Sequence, residues 1–394
     1  MSNEISRYIP YGRQNISDHD IEAVVAVLRS DYLTQGPVVP DFEGRVKEYC
    51  GASHAVAVNS ATSSLHIACI ALDIGPGDIV WTSPITFVAS ANCALYCGAT
   101  VDFVDIDPLT YNLSVERLSE KLAIAESEGR LPKLLIPVHL AGQSCDMKEI
   151  ARLAKRYGFK VIEDASHAIG GNYLGKKIGC CQFSDITVFS FHPVKIITTA
   201  EGGLATTNDD KIALKLDLLR SHGITKENDL MTQVSEGPWY YEQLDLGFNY
   251  RMTDIQAALG LSQIDRLDQF VSKRHQLISR YDNLLSNVAV VTPWQSPDAY
   301  SASHLYIIRI DLLKSKASHR EIFEILRSNN IGVALHYIPV YRHPFYKGLG
   351  FSQDACPEAE KYYSEAISLP MHPGLSKEDQ DKVIEVLSVA VGSK

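Results

Sequence analysis

A single lysine, Lys195, follows the apolar run Ile186-Thr187-Val188-Phe189-Ser190-Phe191. β-branched and aromatic residues suit a buried strand, and Pro193, which lacks a backbone donor, ends it. An amine held just past a buried strand end is partly desolvated, which disfavours its charged form and leaves a neutral nitrogen able to attack an aldehyde. Upstream, Phe159-Lys160-Val161-Ile162-Glu163 is a second apolar run that ends in Asp164-Ala165-Ser166-His167. Open α/β sheets gather ligands at the carboxyl ends of their strands, so Asp164 and Lys195 can face one site.

A third stretch completes the set. Ala55-Val56-Ala57-Val58 runs into Asn59-Ser60-Ala61-Thr62-Ser63-Ser64 and then Leu65-His66-Ile67-Ala68-Cys69-Ile70-Ala71-Leu72, a strand, a polar turn and a helix. Free amides at a helix start, with the Thr62 and Ser63 hydroxyls, form a natural phosphate cradle. Amine, carboxylate and phosphate cradle together fit pyridoxal phosphate, where the carboxylate would keep the pyridine nitrogen protonated and make the ring an electron sink. Taken singly, each has a plainer use. Lys195 could be a surface lysine, Asp164 a turn residue and the serine-rich start an ordinary N-cap.

The elements that must position these groups alternate. A helix is expected from Ser17 to about Arg29, with Ser17 as cap and Asp18 and Asp20 in its first turn. Strands are expected at 78–82, 100–105 and 133–139, and helices over 87–92, 114–125 and 146–158, the last stopped by Gly158. Alternation of this kind predicts an α/β, doubly wound, mostly parallel sheet. A helical pattern follows Leu244-Asp245-Leu246-Gly247-Phe248-Asn249-Tyr250-Arg251, and Pro293 and Pro297 mark a boundary. Beyond it a strand at 305–310, a helix from Ser318 to about Asn329 and a return through Val333-Ala334-Leu335-His336-Tyr337 read as α+β.

Bulk properties narrow the classes. The 394 residues carry 37 basic and 47 acidic side chains, a formal net charge of −10, which argues against a nucleic-acid binder. The eight cysteines lack C-x-x-C spacing, so they are read as reduced core thiols. His343 and His372 are dispersed, so no metal is inferred. No apolar run has the length of a membrane span, and the cytoplasm is the expected location.

Those stretches, with Leu33-Thr34-Gln35-Gly36-Pro37, Ser190-Phe191-His192, Thr198-Thr199-Ala200-Glu201-Gly202-Gly203, Arg220-Ser221-His222-Gly223 and His336-Tyr337, resemble the DegT/DnrJ/EryC1/StrS sugar aminotransferases. The likeness runs over essentially the whole chain and is to the pseudaminic-acid branch of that family. It implies a fold-type I pyridoxal-phosphate transferase with a mostly parallel sheet flanked by helices. Residues 1–250 would be the large cofactor domain, 251–292 a long connecting helix, and 293–394 a smaller C-terminal α+β domain.

By the same resemblance Lys195 is the catalytic anchor and Asp164 its partner on the ring nitrogen. Ala61, Thr62, Ser63 and Ser190 bind the phosphate, Phe87 stacks on the ring, and His167 stands near the phenolic oxygen. Asn249 reaches the phosphate of the neighbouring subunit, which makes the enzyme a homodimer with shared sites. Tyr11, Asp31, Tyr32, Leu33, Thr34, Arg251, His336 and Tyr337 line the substrate site. From physics alone Tyr32 packs half-buried, and Arg251 is either a nearby anion partner or the partner in a helix-start salt bridge. His192 takes no assigned role, Ile196 stands where proline is expected, and Ala200 stands where glycine is commoner.

The implied reaction moves an amino group from L-glutamate, leaving 2-oxoglutarate, to C4 of a UDP-linked 4-keto-6-deoxy-N-acetyl hexosamine. Alternatives are amination at C3 or C4 of another nucleotide keto-sugar, and dehydration on the same fold. The dehydratases carry histidine at the anchoring position, whereas this chain has Lys195. A nicotinamide oxidoreductase is disfavoured because the first strand-turn-helix lacks G-x-G-x-x-G. A non-catalytic cofactor-binding scaffold is the remaining competitor.

Overall fold

The computed structural model describes residues 7–352 and 355–392. Helix α1 (Asp18–Leu28) begins with the expected cap, the Ser17 hydroxyl and Asp20 carboxylate closing a reciprocal capping box. Helix α2 (Val38–Cys50) was not expected, because Pro37 and Pro40 flank its start. Proline is tolerated in a first helical turn, where amides lack intrahelical acceptors anyway.

The units β1 (His54–Val58), α3 (Ala61–Ala71), β2 (Ile79–Thr82), α4 (Ala89–Tyr96), β3 (Thr100–Phe103), α5 (Val115–Ser127), β4 (Leu134–Ile136), α6 (Met147–Tyr157) and β5 (Lys160–Asp164) follow in alternation. In α6 the buried Met147, Ile150, Leu153, Ala154 and Tyr157 share one face, and Gly158 closes it in the left-handed region at φ 79°. A short hairpin, β6 (Asn172–Tyr173) and β7 (Lys176–Lys177), leads to β8 (Ile186–Ser190), β9 (Gly203–Thr207) and α7 (Asp210–Arg220).

Seven strands form one sheet in the order β1-β9-β8-β5-β4-β2-β3. Neighbours from β8 through β5, β4 and β2 to β3 pair in parallel. Strand β9 runs antiparallel to both β8 and β1, so the sheet is mostly parallel and β9 alone is reversed. Every residue of β4, β8 and β9 is buried, as expected for a sheet covered on both faces. Such burial contributes about 1.5–3 kcal/mol for each large apolar side chain.

Past the small hairpin of β10 (Ile224–Thr225) and β11 (Glu242–Gln243), the expected single connecting helix is two, α8 (Asp254–Ile264) and α9 (Leu267–Leu285). At the break Arg266 turns to pair with the fully buried Asp20, which also accepts from Ser262 Oγ at 2.6 Å and Gln263 Nε2 at 2.9 Å. The remainder comprises β12 (Val290–Val291), β13 (Ala299–Tyr300), β14 (Tyr306–Ile310), α10 (His319–Ser328), α11 (Pro344–Gly348), α12 (Pro357–Glu365), β15 (Ala366–Leu369) and α13 (Lys377–Val391). Strands β12, β14 and β15 make a three-stranded antiparallel sheet with its own apolar cluster. Among the described residues no helix is long and apolar enough to cross a membrane.

Strand β9 touches the start of α3. A Cβ on Gly203 would stand 2.4 Å from Ser60 C, Ser60 O and Ala61 N. These are backbone atoms and have no rotamer to yield. Gly203→Ala is therefore expected to destabilise the fold by about 1–3 kcal/mol. Gly75→Ala, whose added carbon meets nothing within 4 Å, should stay within about 0.5 kcal/mol of the parent. Urea denaturation of both variants checks the contrast.

Candidate functional site

The carboxyl ends of β5 and β8, the start of α3 and the return segment 333–337 enclose a cavity of about 320 Å³. Of the side chains expected at the site, Tyr11, Ala61, Thr62, Phe87, Asp164, His167, Ser190, Lys195, His336 and Tyr337 line it.

Lys195 follows β8 in a closed turn. Its amide donates to His192 O at 2.9 Å, and the Thr198 hydroxyl and Thr199 amide both return to Phe191 O at 3.0 Å. The next side chains, Ile196 and Ile197, are buried in the core. Burial of Ile196 thus anchors the backbone where a proline would have fixed it by its ring. Ala200 holds φ 66°, a left-handed conformation that glycine adopts without a Cβ penalty.

Burial pulls the Lys195 amine down to about 8, against the opposing pull of Asp164. Asp164 is buried, and both carboxylate oxygens accept hydrogen bonds. Oδ2 takes the Ser90 hydroxyl at 2.6 Å, and Oδ1 takes the Ser166 hydroxyl at 2.6 Å and its amide at 3.1 Å.

At the start of α3 the Ser60 hydroxyl accepts from Ser63 N at 3.1 Å, and Ser60 O accepts from Ser64 N at 3.0 Å. The Ala61 and Thr62 amides, which have no intrahelical acceptor, stand beside the cavity. The Ser63 hydroxyl donates to Asn59 Oδ1 at 2.7 Å and lies 2.9 Å from Ser60 Oγ, so it is committed within the turn.

The opposite wall is imidazole and phenol. His167 Nε2 lies 3.2 Å from the Tyr337 hydroxyl, and its ring packs 4.5 Å from that of His304. Burial and nearby Lys195 push His167 well below the usual imidazole range and His336 to about 4. His336 Nδ1 meets Ser368 Oγ at 2.8 Å, and Tyr11 packs on its ring at 5.4 Å. Phe87, 60% exposed, stands at the mouth 6.3 Å from Tyr337.

The other expected residues lie outside the lining. Leu33 O accepts from Asp254 N at 3.0 Å and Thr34 bridges Thr253, so the loop carrying Asp31 and Tyr32 is pinned to the start of α8, yet Tyr32, expected half-buried, is 57% exposed because the loop turns its ring away from the core. Arg251 donates to Ser221 Oγ at 3.1 Å and bridges Val58, while Asn59 N donates to Tyr250 O at 2.7 Å. The Asn249–Arg251 stretch thus runs past the end of β1, with Asn249 exposed. Thr86, Ser166, Glu201 and His304 also line the cavity. Thr86 and His304 carry no local signal, and His304 meets His167 only through the fold, whereas Glu201 stands in the Thr198–Gly203 motif with no role of its own. Ser166 sat inside a quoted motif without a role.

The donor set fits pyridoxal phosphate. It offers a lowered amine for the aldehyde, a buried carboxylate for the ring nitrogen and two unpaired helix-start amides for the phosphate. His167 Nδ1 is buried and has no hydrogen-bond partner among the described residues.

The model of the DegT/DnrJ/EryC1/StrS aminotransferase family matches residues 14–388. The UDP-4-amino-4,6-dideoxy-N-acetyl-beta-L-altrosamine transaminase of Campylobacter jejuni is 38% identical over 380 residues, covering 96% of each chain. Helicobacter pylori PseC, an aminotransferase involved in the biosynthesis of pseudoaminic acid, superposes with TM-score 0.89 at 31% identity over 98% of this chain and 99% of its own. The Streptococcus pneumoniae protein Spr1654 in its PLP form superposes with TM-score 0.86 at 31% identity, over 98% and 99%.

The lowered amine makes a direct expectation. In cofactor-free protein, Lys195 should react with an acylating reagent along a pH curve with its midpoint near 8, since only the neutral form attacks. Asp164→Asn removes the group that favours the ammonium, so the midpoint should fall further. Mass-spectrometric labelling across pH 6–11, a range of about five units around the usual lysine and lowered values, reads both shifts.

Proposed function

The chain belongs to the DegT/DnrJ/EryC1/StrS aminotransferase family, and from that premise we propose its substrates and the roles of its residues. The protein is a pyridoxal-phosphate-dependent aminotransferase of nucleotide sugars. It would transfer an amino group from L-glutamate to C4 of UDP-2-acetamido-2,6-dideoxy-β-L-arabino-hex-4-ulose, a UDP-linked 4-keto-6-deoxy-N-acetyl hexosamine. The product would be UDP-4-amino-4,6-dideoxy-N-acetyl-β-L-altrosamine, for pseudaminic acid biosynthesis. The observation that carries it is the convergence of Lys195, Asp164 and the start of α3 on one cavity, joined to the likeness to the altrosamine transaminase.

When bound, pyridoxal phosphate supplies an electron sink for the pair left as the donor Cα–H bond breaks. Lys195 Nζ would hold the aldehyde and would move a proton at the donor Cα, and burial, which lowers its amine, suits it both to take and to return that proton. Asp164 would accept the ring N–H. The Ala61 and Thr62 amides with the Ser190 hydroxyl would hold the phosphate, and Ser63 acts through the turn it stabilises. Phe87 would stack on the ring, and His167, held neutral by burial, would serve the phenolic oxygen. Tyr11, His336 and Tyr337 orient the sugar from the inner wall. Asp31, Tyr32, Leu33, Thr34 and Arg251, outside the lining of this chain's cavity, are assigned to the sugar by the family likeness alone.

Asn249 is exposed and outside its own chain's lining, which suits a residue that completes the site of a second copy. Exposed Val234, Trp239, Tyr241 and Leu246 lie in the same segment and suit burial in a homodimer. The eight cysteines are all free thiols, in keeping with a reducing cytoplasm.

With glutamate and the UDP-4-keto sugar, NMR of the product should place the new nitrogen on C4. Nitrogen on C3, or turnover only with a different nucleotide sugar, would contradict the substrate assignment. Lys195→Ala and Asn249→Ala should each be inactive or nearly so. Mixed, they should recover about a quarter of parental activity, since half of randomly re-formed dimers are mixed and each holds one intact site. Absence of recovery in a demonstrated mixed dimer argues against sharing.

A further inference from the structure

Asp164 does not stand alone beneath the cavity. The Ser90 hydroxyl, fully buried on α4, lies 2.6 Å from Asp164 Oδ2, and Thr86 Oγ1 lies 2.7 Å from Ser90 Oγ. Ser90 has one proton, and an ionised carboxylate can only accept. That proton therefore goes to Asp164, the Phe87 carbonyl at 3.4 Å being a far longer alternative. Ser90 Oγ must then accept from Thr86, so both hydroxyl dipoles point towards the carboxylate. On the other oxygen the Ser166 hydroxyl and amide do the same.

We propose that Thr86 and Ser90 are positioning residues that act through Asp164, forming a one-way hydrogen-bond chain that fixes its carboxylate and aims it at the ring nitrogen. This rests on the reading of Asp164 given above and extends it to two residues with no assigned role. Burial alone disfavours a bare carboxylate. Hydrogen bonds to the charged form offset that cost, and aligned donors strengthen one another. Thr86 also lines the cavity, so the chain begins at the wall of the site and ends on the carboxylate.

The test compares the affinity for pyridoxal phosphate with that for its 1-deaza analogue, in which carbon replaces the ring nitrogen. Parental protein should prefer the natural cofactor, because only it presents an N–H to Asp164. Ser90→Ala should narrow that preference about tenfold and Thr86→Val about threefold, as befits loss of a charge-assisted bond and of the bond behind it. Thr86→Ser, which keeps the hydroxyl, should restore it. Equal weakening of both ligands, or a preference unchanged in Thr86→Val, overturns the proposal. If Ser90→Ala does not fold, the Thr86 pair still decides. A parental protein with no preference removes the Asp164 assignment itself, and one that binds neither ligand removes the cofactor site.

Discussion

Holding an amine out of water beside a carboxylate is the constraint on which the rest of the molecule depends. Asp164 attracts the ammonium form of Lys195, and burial opposes it. Burial prevails, because the amine falls from its ordinary value to about 8 despite the carboxylate. The balance requires two strand ends side by side, and the parallel pairing of β5 with β8 supplies it through the register Asp164↔Val188. It also requires a wall that adds no positive charge. His167, His304 and His336 are all pushed below the usual imidazole range by burial and by Lys195, so the wall offers hydrogen-bonding nitrogens without repelling the amine.

The reversed strand β9 has a part in this arrangement. Chain leaving Lys195 turns back through Ala200 and re-enters the sheet at Gly203, between β8 and β1. That path brings β9 against the turn at Ser60 and Ala61. The lysine loop and the helix start that would hold a phosphate are thereby spaced by backbone contact, with no flexible side chain between them. Distances fixed this way change little on binding, which is what preorganisation of a site demands.

How much of this was legible in the sequence follows from how local each signal is. Lys195, Asp164 and the 59–64 turn each follow an apolar strand within a few residues, so strand, turn and functional group could be read together. Helix α2 was hidden by prolines placed where a helix tolerates them. Strand β9, Gly203-Leu204-Ala205-Thr206-Thr207, has a glycine start and two threonines and buries all five residues only because β1 and β8 flank it. Its reversed direction is a property of pairing and leaves no trace in the residues. His304 reaches His167 through contacts far apart in the chain, its amide donating to Ala141 O at 2.8 Å. Asn249, Arg251 and the Asp31–Thr34 loop were named through family likeness, and a lone chain leaves them outside the cavity they are meant to serve.

Strand β5 shows how one short segment separates structure from chemistry. Glu163 and Asp164 are adjacent buried carboxylates, and strand alternation sends them to opposite faces of the sheet. Glu163 meets His139 Nε2 at 2.7 Å and accepts from Thr187 Oγ1 at 3.1 Å and from the Ser184 hydroxyl. The Cys145 amide donates to His139 Nδ1 at 3.1 Å, so the ring proton is on Nε2 and goes to Glu163. Those partners bind the segment after β4 to β8 across β5, and none of them lines the cavity. Asp164 instead takes its partners from α4 and from Ser166, and presents its charge to the site. Were the strand to slip by one residue the two carboxylates would exchange faces, leaving the site with the wrong side chain and the sheet without its cross-tie. The stability of the sheet and the aim of the carboxylate are therefore set by the same register.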